Sequence, residues 1–258
     1  MKTIDAVIEN RVGLLKLKRK ESANALSMLM LEELNIQLDQ WEENDNVRAI
    51  IITGDGNNVF CAGADLKERG GMTEQQVKEA VKKIRHTINK IEHIPIPVIA
   101  AINGAAIGGG LELVLACDLR ISSDNATFAL TETSLGIIPG AGGTQRLPRA
   151  IGMQRAKEMI FTGEKILANT ALQWGLVLKV APAAELLTTA ENLAHKICRN
   201  GPIAMKQAKY AMNQGAEMEL NTALKLEENA YEVVIPTKDR LEGLASFKEK
   251  RNPHFTGE

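Results

Sequence analysis

No sign of charge dominates this chain. Its 258 residues carry 31 lysines and arginines against 32 aspartates and glutamates, a net charge of −1. Without a global field, neither nucleic acid nor an anionic membrane is an expected partner. Cysteine is scarce as well: Cys61, Cys117 and Cys198 make no disulfide framework, and an odd count suits a reducing compartment. Long apolar runs are missing. The longest uncharged stretch, Ile94 to Leu111, is broken by Pro95, Pro97, Asn103 and four glycines, so it reads as strand, turn and helix start. Met1 to Glu9 shows no apolar signal core. A soluble, cytoplasmic protein is expected. The chain also lacks a Cys/His cluster at zinc spacing and a Gly-Lys-Ser/Thr phosphate loop. G-x-G-x-x-G is absent too, because Leu113 and Gln145 stand where its last glycine belongs. No metal site and no dinucleotide cofactor are expected.

What is present centres on Ile107-Gly-Gly-Gly-Leu-Glu-Leu-Val-Leu-Ala-Cys-Asp118. Three glycines run directly into apolar residues that read as a buried helix. A helix start carries unpaired N–H groups and a partial positive charge, and glycine lets another group approach its backbone. Glu112 sits in the first turn of that helix. Upstream, Val12–Lys18 reads as a strand with Ala6–Glu9 as its hairpin partner. Ser27 is the expected N-cap of a helix whose core face is Leu31, Leu34, Leu38 and Trp41. Its outer face is expected to be acidic: Glu32, Glu33, Asp39, Glu42, Glu43 and Asp45. Val47–Thr53 is a buried strand, so strand, helix and strand announce an α/β crossover.

Cys61-Ala-Gly-Ala-Asp-Leu-Lys67 follows that strand, where α/β sheets place ligands, and Ala62, Gly63 and Ala64 again permit close approach. Thr73–Gln76 fits a capping box ahead of a stripe of Val77, Val81, Ile84, Ile88 and Ile91. Lys78, Lys82, Lys83 and Arg85 read as its solvated face. Pro97–Ile102 is the next buried strand and Leu119–Ser123 another. Phe128–Gly136 then places Glu132 in a loop of small and apolar residues, before the turn-rich Ile137–Arg146. Helices are expected at Gln154–Phe161, Ala168–Gln173 and Glu185–Arg199, with a strand at Gly175–Val180. From Gly201-Pro202 to Pro236 the residues are helix-forming, and Thr237–Arg251 is a last helix. A boundary near residue 200 divides an α/β core, 1–200, from a helical region, 201–258. Two backbone-donor turns and two carboxylates suit chemistry on a carbonyl whose oxygen becomes negative.

Three ordered motifs make the pattern specific: Cys61-Ala-Gly-Ala-Asp-Leu-Lys67, Gly108-Gly-Gly-Leu-Glu-Leu113 and Thr131-Glu-Thr-Ser-Leu-Gly-Ile-Ile-Pro-Gly-Ala-Gly-Gly-Thr-Gln-Arg146. Together they resemble the crotonase, or enoyl-CoA hydratase/isomerase, family over nearly the whole chain. The resemblance implies a spiral of ββα units with a C-terminal trimerisation region, as homotrimers or dimers of trimers. It implies an oxyanion hole at the N–H groups of Ala64 and Gly109, with Glu112 and Glu132 as catalytic carboxylates. Coenzyme A contacts are implied at Ala62, Ala64, Asp65, Leu66, Lys67 and Gly109. Phe247 and Lys250 are implied too, in some members from a neighbouring subunit. The implied reaction is hydration of a 2,3-enoyl-CoA with no cofactor beyond the substrate's own coenzyme A. Isomerase or another acyl-CoA reaction is the alternative.

Cys61–Arg69 and Ile235–Gly243 look most like 3-methylglutaconyl-CoA hydratases, which act in leucine breakdown. A carboxylate-ended acyl chain would need a cation, which Lys67 or Arg69 could supply. Some relatives bind RNA through a lysine-rich first helix, but Ser27–Asp45 has six acids and no lysine, so no nucleic acid is expected there. A basic stripe of Lys78, Lys82, Lys83, Arg85 and Lys90 is the rival, RNA-binding reading. Lys18-Arg19-Lys20 replaces the family's Asn-Arg-Pro, so contacts to coenzyme A phosphates are expected to differ.

Overall fold

The computed structural model describes all 258 residues, Met1 to Glu258. A hairpin of β1 (Ile4–Glu9) and β2 (Val12–Leu17) opens the chain. Ser27 then caps α1 (Met28–Glu42), its side chain accepting from the Met30 N–H at 3.2 Å. Leu31, Leu34, Leu38 and Trp41 are buried along one face of α1, as their spacing predicts.

From here one unit repeats. First come β3 (Ala49–Gly54), β4 (Val59–Cys61), the short α2 (Leu66–Arg69) and α3 (Glu74–His93). Next are β5 (Val98–Ile102), β6 (Ala105–Ile107) and α4 (Gly109–Ala116). Then follow β7 (Leu119–Ser123), β8 (Thr127–Ala129), a 3-10 turn at Glu132–Leu135 and α5 (Gly143–Ile151). The first strand of each unit enters one sheet and the second strand enters another, so the chain winds as a spiral of ββα turns. It continues through α6 (Met153–Thr162), β9 (Ile166–Leu167), α7 (Ala168–Gln173), β10 (Lys179–Ala181) and α8 (Leu186–Cys198). Three helices finish it: α9 (Pro202–Gly215), α10 (Leu220–Val234) and α11 (Lys238–Glu249).

The larger sheet has the order β1-β2-β3-β5-β7-β10 and is parallel from β2 onward. Parallel strands are normally covered on both faces, and these are. Ile50, Ile52 and Ala100 point into the main core, whereas Ile51, Ile99 and Ile121 meet Leu186, Ala190 and Ala194 of α8. The smaller sheet, β4-β6-β8-β9, buries Phe60 and Phe128 and brings the ends of β4 and β6 side by side. α9 is moored to the large sheet by Lys209, which donates to Asp118 at 2.7 Å and to the Ile96 carbonyl at 3.1 Å.

Several expectations change in the folded chain. Glu33 is not on the outer face of α1: it is buried and accepts from the N–H groups of Lys2 (2.7 Å) and Thr3 (2.8 Å), tying down the N-terminus. The capping box of Thr73 and Gln76 forms, and Ile84, Ile88 and Ile91 are buried. The lysines of α3 are less free than a solvated stripe, because Lys83 pairs with Glu32 and Lys90 with Asp39 of α1. Of Gly175–Val180, only Lys179 and Val180 are in a strand. Leu176 and Val177 are buried by a turn whose N–H groups donate to the Ala171 carbonyl. The helical run after Gly201 breaks at Ala216–Glu219, where Glu219 caps α10 through the Asn221 and Thr222 N–H groups.

Candidate active site

Two glycine turns touch backbone to backbone at the ends of β4 and β6. Gly63 has φ +87°, and a Cβ on it would lie 2.8 Å from the Gly109 nitrogen and 2.9 Å from the Ile107 oxygen. A Cβ on Gly110 would come within 2.1 Å of the Cys61 carbonyl oxygen. Glycine at both positions is what seats α4 against the strand beneath it. On the other side, the Leu26 N–H donates to Gly63 O at 2.7 Å and the Asp65 N–H to Leu26 O at 3.3 Å. The Ala64 N–H points away from that bridge, with no acceptor in the chain. Gly109 is the first residue of α4, so its N–H has no intrahelical acceptor. A Cβ on Gly109 would be 3.5 Å from the Ala64 nitrogen, so these two donors are neighbours at the positive end of a helix.

Glu112 lies one turn into α4 and is only 3 % exposed. Its Oε1 accepts from the N–H groups of Ala141 (2.7 Å) and Gly143 (2.8 Å). Burial raises its pKa above the usual carboxylate value, and the two N–H groups pull the other way. Glu132 opens the 3-10 turn after β8, and a Cβ on Gly108 would lie 2.9 Å from its Oε1. Its Oε2 is buried with no hydrogen-bond partner. Burial, aided by the charge of Glu112 and opposed by its own backbone N–H, pushes the Glu132 pKa up to about 7. The two acids therefore differ in their partners: Glu112 is held by two N–H groups, whereas Glu132 has a buried oxygen without a partner and titrates near neutral pH.

Two arginines to which the sequence assigns no part in the site hold the turn against Glu112. Arg85 donates Nε to the Gly140 carbonyl at 2.8 Å. Arg146 donates Nη1 to the Ala141 carbonyl and Nε to Glu92, each at 2.9 Å. Together they fix the turn that presents the two N–H groups to Glu112. Arg146 ends the third motif, which is a visible cue; nothing local in the sequence assigns Glu92 as its partner.

The two glutamates, Ala62, Ala64 and Gly109 line one cavity of about 600 Å³. Its apolar wall comes from Leu66, from Val77, Val81 and Ile84 of α3, and from Leu135 to Pro139; Arg69 and Arg85 are its basic members. Asp65 is not in the lining. Its carboxylate caps α2 by accepting from Lys67 N and Glu68 N, and pairs with Arg19 at 2.9 Å. Lys67 is exposed on α2, outside the lining. Phe247 is 86 % exposed on α11 and Lys250 caps that helix at φ +55°, both apart from the cavity of their own chain. A neighbouring hollow of about 690 Å³ is more polar. It contains neither glutamate, and its Arg146 and Arg149 are paired with Glu92 and Glu217. No three His, Cys, Asp or Glu side chains converge at metal-ligand spacing. The cavity can hold an oxygen that gains negative charge, give a proton from one side and take one from the other.

The chain matches the family profile described as Enoyl-CoA hydratase/isomerase over residues 7–258. The crystal structure of an enoyl-CoA hydratase from Bacillus anthracis superposes with a TM-score of 0.97 at 54 % identity, covering 99 % of this chain and 100 % of that one. Human mitochondrial methylglutaconyl-CoA hydratase is 48 % identical over 97 % of this chain and 75 % of its own length. The enoyl-CoA isomerase/hydratase fer4 of Mycosarcoma maydis is 44 % identical over 94 % of this chain and 92 % of its own.

Proposed function

The chain belongs to the enoyl-CoA hydratase/isomerase family, and from that premise we propose that it adds water across the 2,3 double bond of an enoyl-CoA thioester. The observation that carries this reading is the unlike glutamate pair facing a shared cavity: Glu132 has a buried oxygen without a partner and a pKa raised to about 7, and Glu112 is held by two N–H groups. The thioester oxygen accepts from the N–H groups of Ala64 and Gly109, which draws electron density off the β-carbon. A water between the carboxylates gives a proton to Glu112 as its oxygen adds to the β-carbon. Glu132 gives its own proton to the α-carbon, and the proton left on Glu112 returns to Glu132 by exchange with water. No metal or redox cofactor enters these steps. An isomerase needs no water-activating partner for its proton carrier, so two acids favour hydration.

The acyl group of this reading is short, with 3-methylglutaconyl-CoA the preferred substrate and leucine breakdown the setting. The human relative's name supports that choice, as does the likeness of Cys61–Arg69 and Ile235–Gly243. Residues 201–258 serve as the oligomerisation region of a homotrimer or a dimer of trimers, where Phe247 and Lys250 of one subunit approach the coenzyme A of another. Exposed Tyr231, Leu241, Leu244 and Phe247 support that part of the reading. The free thiols of Cys61, Cys117 and Cys198 support a reducing, cytoplasmic setting. Hydration kinetics on crotonyl-CoA beside 3-methylglutaconyl-CoA test the function. Both substrates are expected to be hydrated, the second with the higher kcat/KM. Failure to hydrate either one would overturn it.

A further inference from the structure

Several basic side chains on the elements that build the site have an acidic partner: Arg19 has Asp65, Arg146 has Glu92, Lys83 has Glu32 and Lys90 has Asp39. Arg69 and Arg85 are different. Both line the cavity, yet neither forms an ion pair. The Arg69 guanidinium has no hydrogen-bond partner in the chain, and the residue is half-buried in a lining it shares with Leu66, Val77, Val81 and Ile84. Arg85 spends only its Nε, on the Gly140 carbonyl, so both of its Nη groups remain open. Arg85 is exposed, whereas Arg69 is half-buried in the lining; a guanidinium withdrawn from water in this way is satisfied by a planar carboxylate through paired hydrogen bonds.

The only acids in the lining are Glu112 and Glu132. Glu112 is held by the Ala141 and Gly143 N–H groups, and Glu132 keeps its proton until about pH 7. The charges of Arg69 and Arg85 act on Glu132 and Glu112, but neither arginine is hydrogen-bonded to either acid. With the thioester oxygen at Ala64 and Gly109 and the reacting carbons between the glutamates, the rest of the acyl chain has the α3 wall and these arginines for company. The phosphates of coenzyme A lie the whole length of the pantetheine arm away from that point. Resting on the hydratase reading of this same cavity, we propose that Arg69, assisted by Arg85, selects acyl chains that end in a carboxylate. Lys67, the other cation near this turn, is outside the lining and takes no part.

The test compares glutaconyl-CoA, whose chain ends in a carboxylate, with its uncharged terminal methyl ester. Wild-type, Arg69→Met, Arg69→Lys and Arg85→Met proteins are assayed for kcat/KM on both. Removing Arg69 also removes a positive charge that lowers the Glu132 pKa. That effect acts on both substrates and cancels in their ratio. A hydrogen bond to a charged group contributes roughly 1.5–3 kcal/mol, about 10–150-fold. The acid-to-ester ratio is expected to fall by that factor in Arg69→Met, mainly through KM, and by less in Arg85→Met. Arg69→Lys should restore part of it, and added salt should shrink the wild-type ratio. A wild-type enzyme that hydrates both but favours neither would overturn the selection while leaving the hydratase reading intact. Equal losses on acid and ester in Arg69→Met would overturn it as well, because a structural or coenzyme A contact acts on both. A wild-type protein that hydrates neither would overturn the hydratase reading and the selection with it.

Discussion

Glu132 is a carboxyl group that folding makes harder to ionise. Its pKa is lifted from the ordinary 4.5 to about 7, first by burial and then by the charge of Glu112. Between those values the folded chain keeps a proton that the unfolded chain has released, so its stability falls as the pH rises through that window. Below 4.5 the carboxyl is neutral in both states and this penalty is absent. Above about 7 it is ionised in both, and the penalty is complete. Glu132→Gln removes the charge and keeps the shape. The variant should therefore melt above wild type at pH 8 and close to it at pH 4.5, read by thermal denaturation at each pH. A variant less stable than wild type at pH 8 would mean that Glu132 is held by favourable contacts rather than against burial. This is a trade of stability for function of the kind active sites make.

The helix α4 is an element whose position depends on absent side chains. Gly110→Ala would drive a Cβ into the Cys61 carbonyl, which is backbone and cannot swing aside. Overpacking of that kind costs about 1–3 kcal/mol and would shift the Gly109 N–H as well. Gly71, between α2 and α3, has open space where a Cβ would stand, with no atom within 4 Å, so Gly71→Ala should be neutral or stabilise by up to about 1 kcal/mol. Urea unfolding of the two variants checks the contrast, and equal effects would mean that α4 is not seated by Gly110. Longer elements are legible in the sequence because their apolar residues recur at helix or strand spacing, as in α1, α3 and β5. β4, β6, β8 and β9 are not legible as strands: they have two or three residues each, too few for any periodicity to show. Glu33 is misplaced by sequence reasoning because a carboxylate reads as exposed unless its partners are known, and Thr3 lies 30 residues away. The glutamate pair is legible through its motifs, whereas the arginines that support it act across long sequence separations.

At the scale of the molecule, net charge is near zero, and on α3 Lys83 and Lys90 pair with α1 while Lys78, Lys82 and Arg85 stay exposed without an ion pair. The C-terminal helices expose apolar side chains instead, with Leu220, Tyr231, Leu241 and Phe247 all more than half exposed. Such a surface on a chain of 28.1 kDa is expected to close on copies of itself. Light scattering should return three or six times the chain mass, and a monomeric mass at micromolar concentration would contradict the trimeric reading.

The whole spiral converges on two glutamates from successive units, Glu112 on α4 and Glu132 after β8, and their joint action is the central claim. It is tested most directly by kcat for crotonyl-CoA hydration in Glu112→Gln and Glu132→Gln beside wild type. General acid–base help is worth ~10²–10⁴ in rate, so each variant should lose about that much with a modest change in KM. The double variant should lose less than the product of the single losses, because both groups act on one water. Near-normal turnover by either single variant, with its fold intact, would contradict the account.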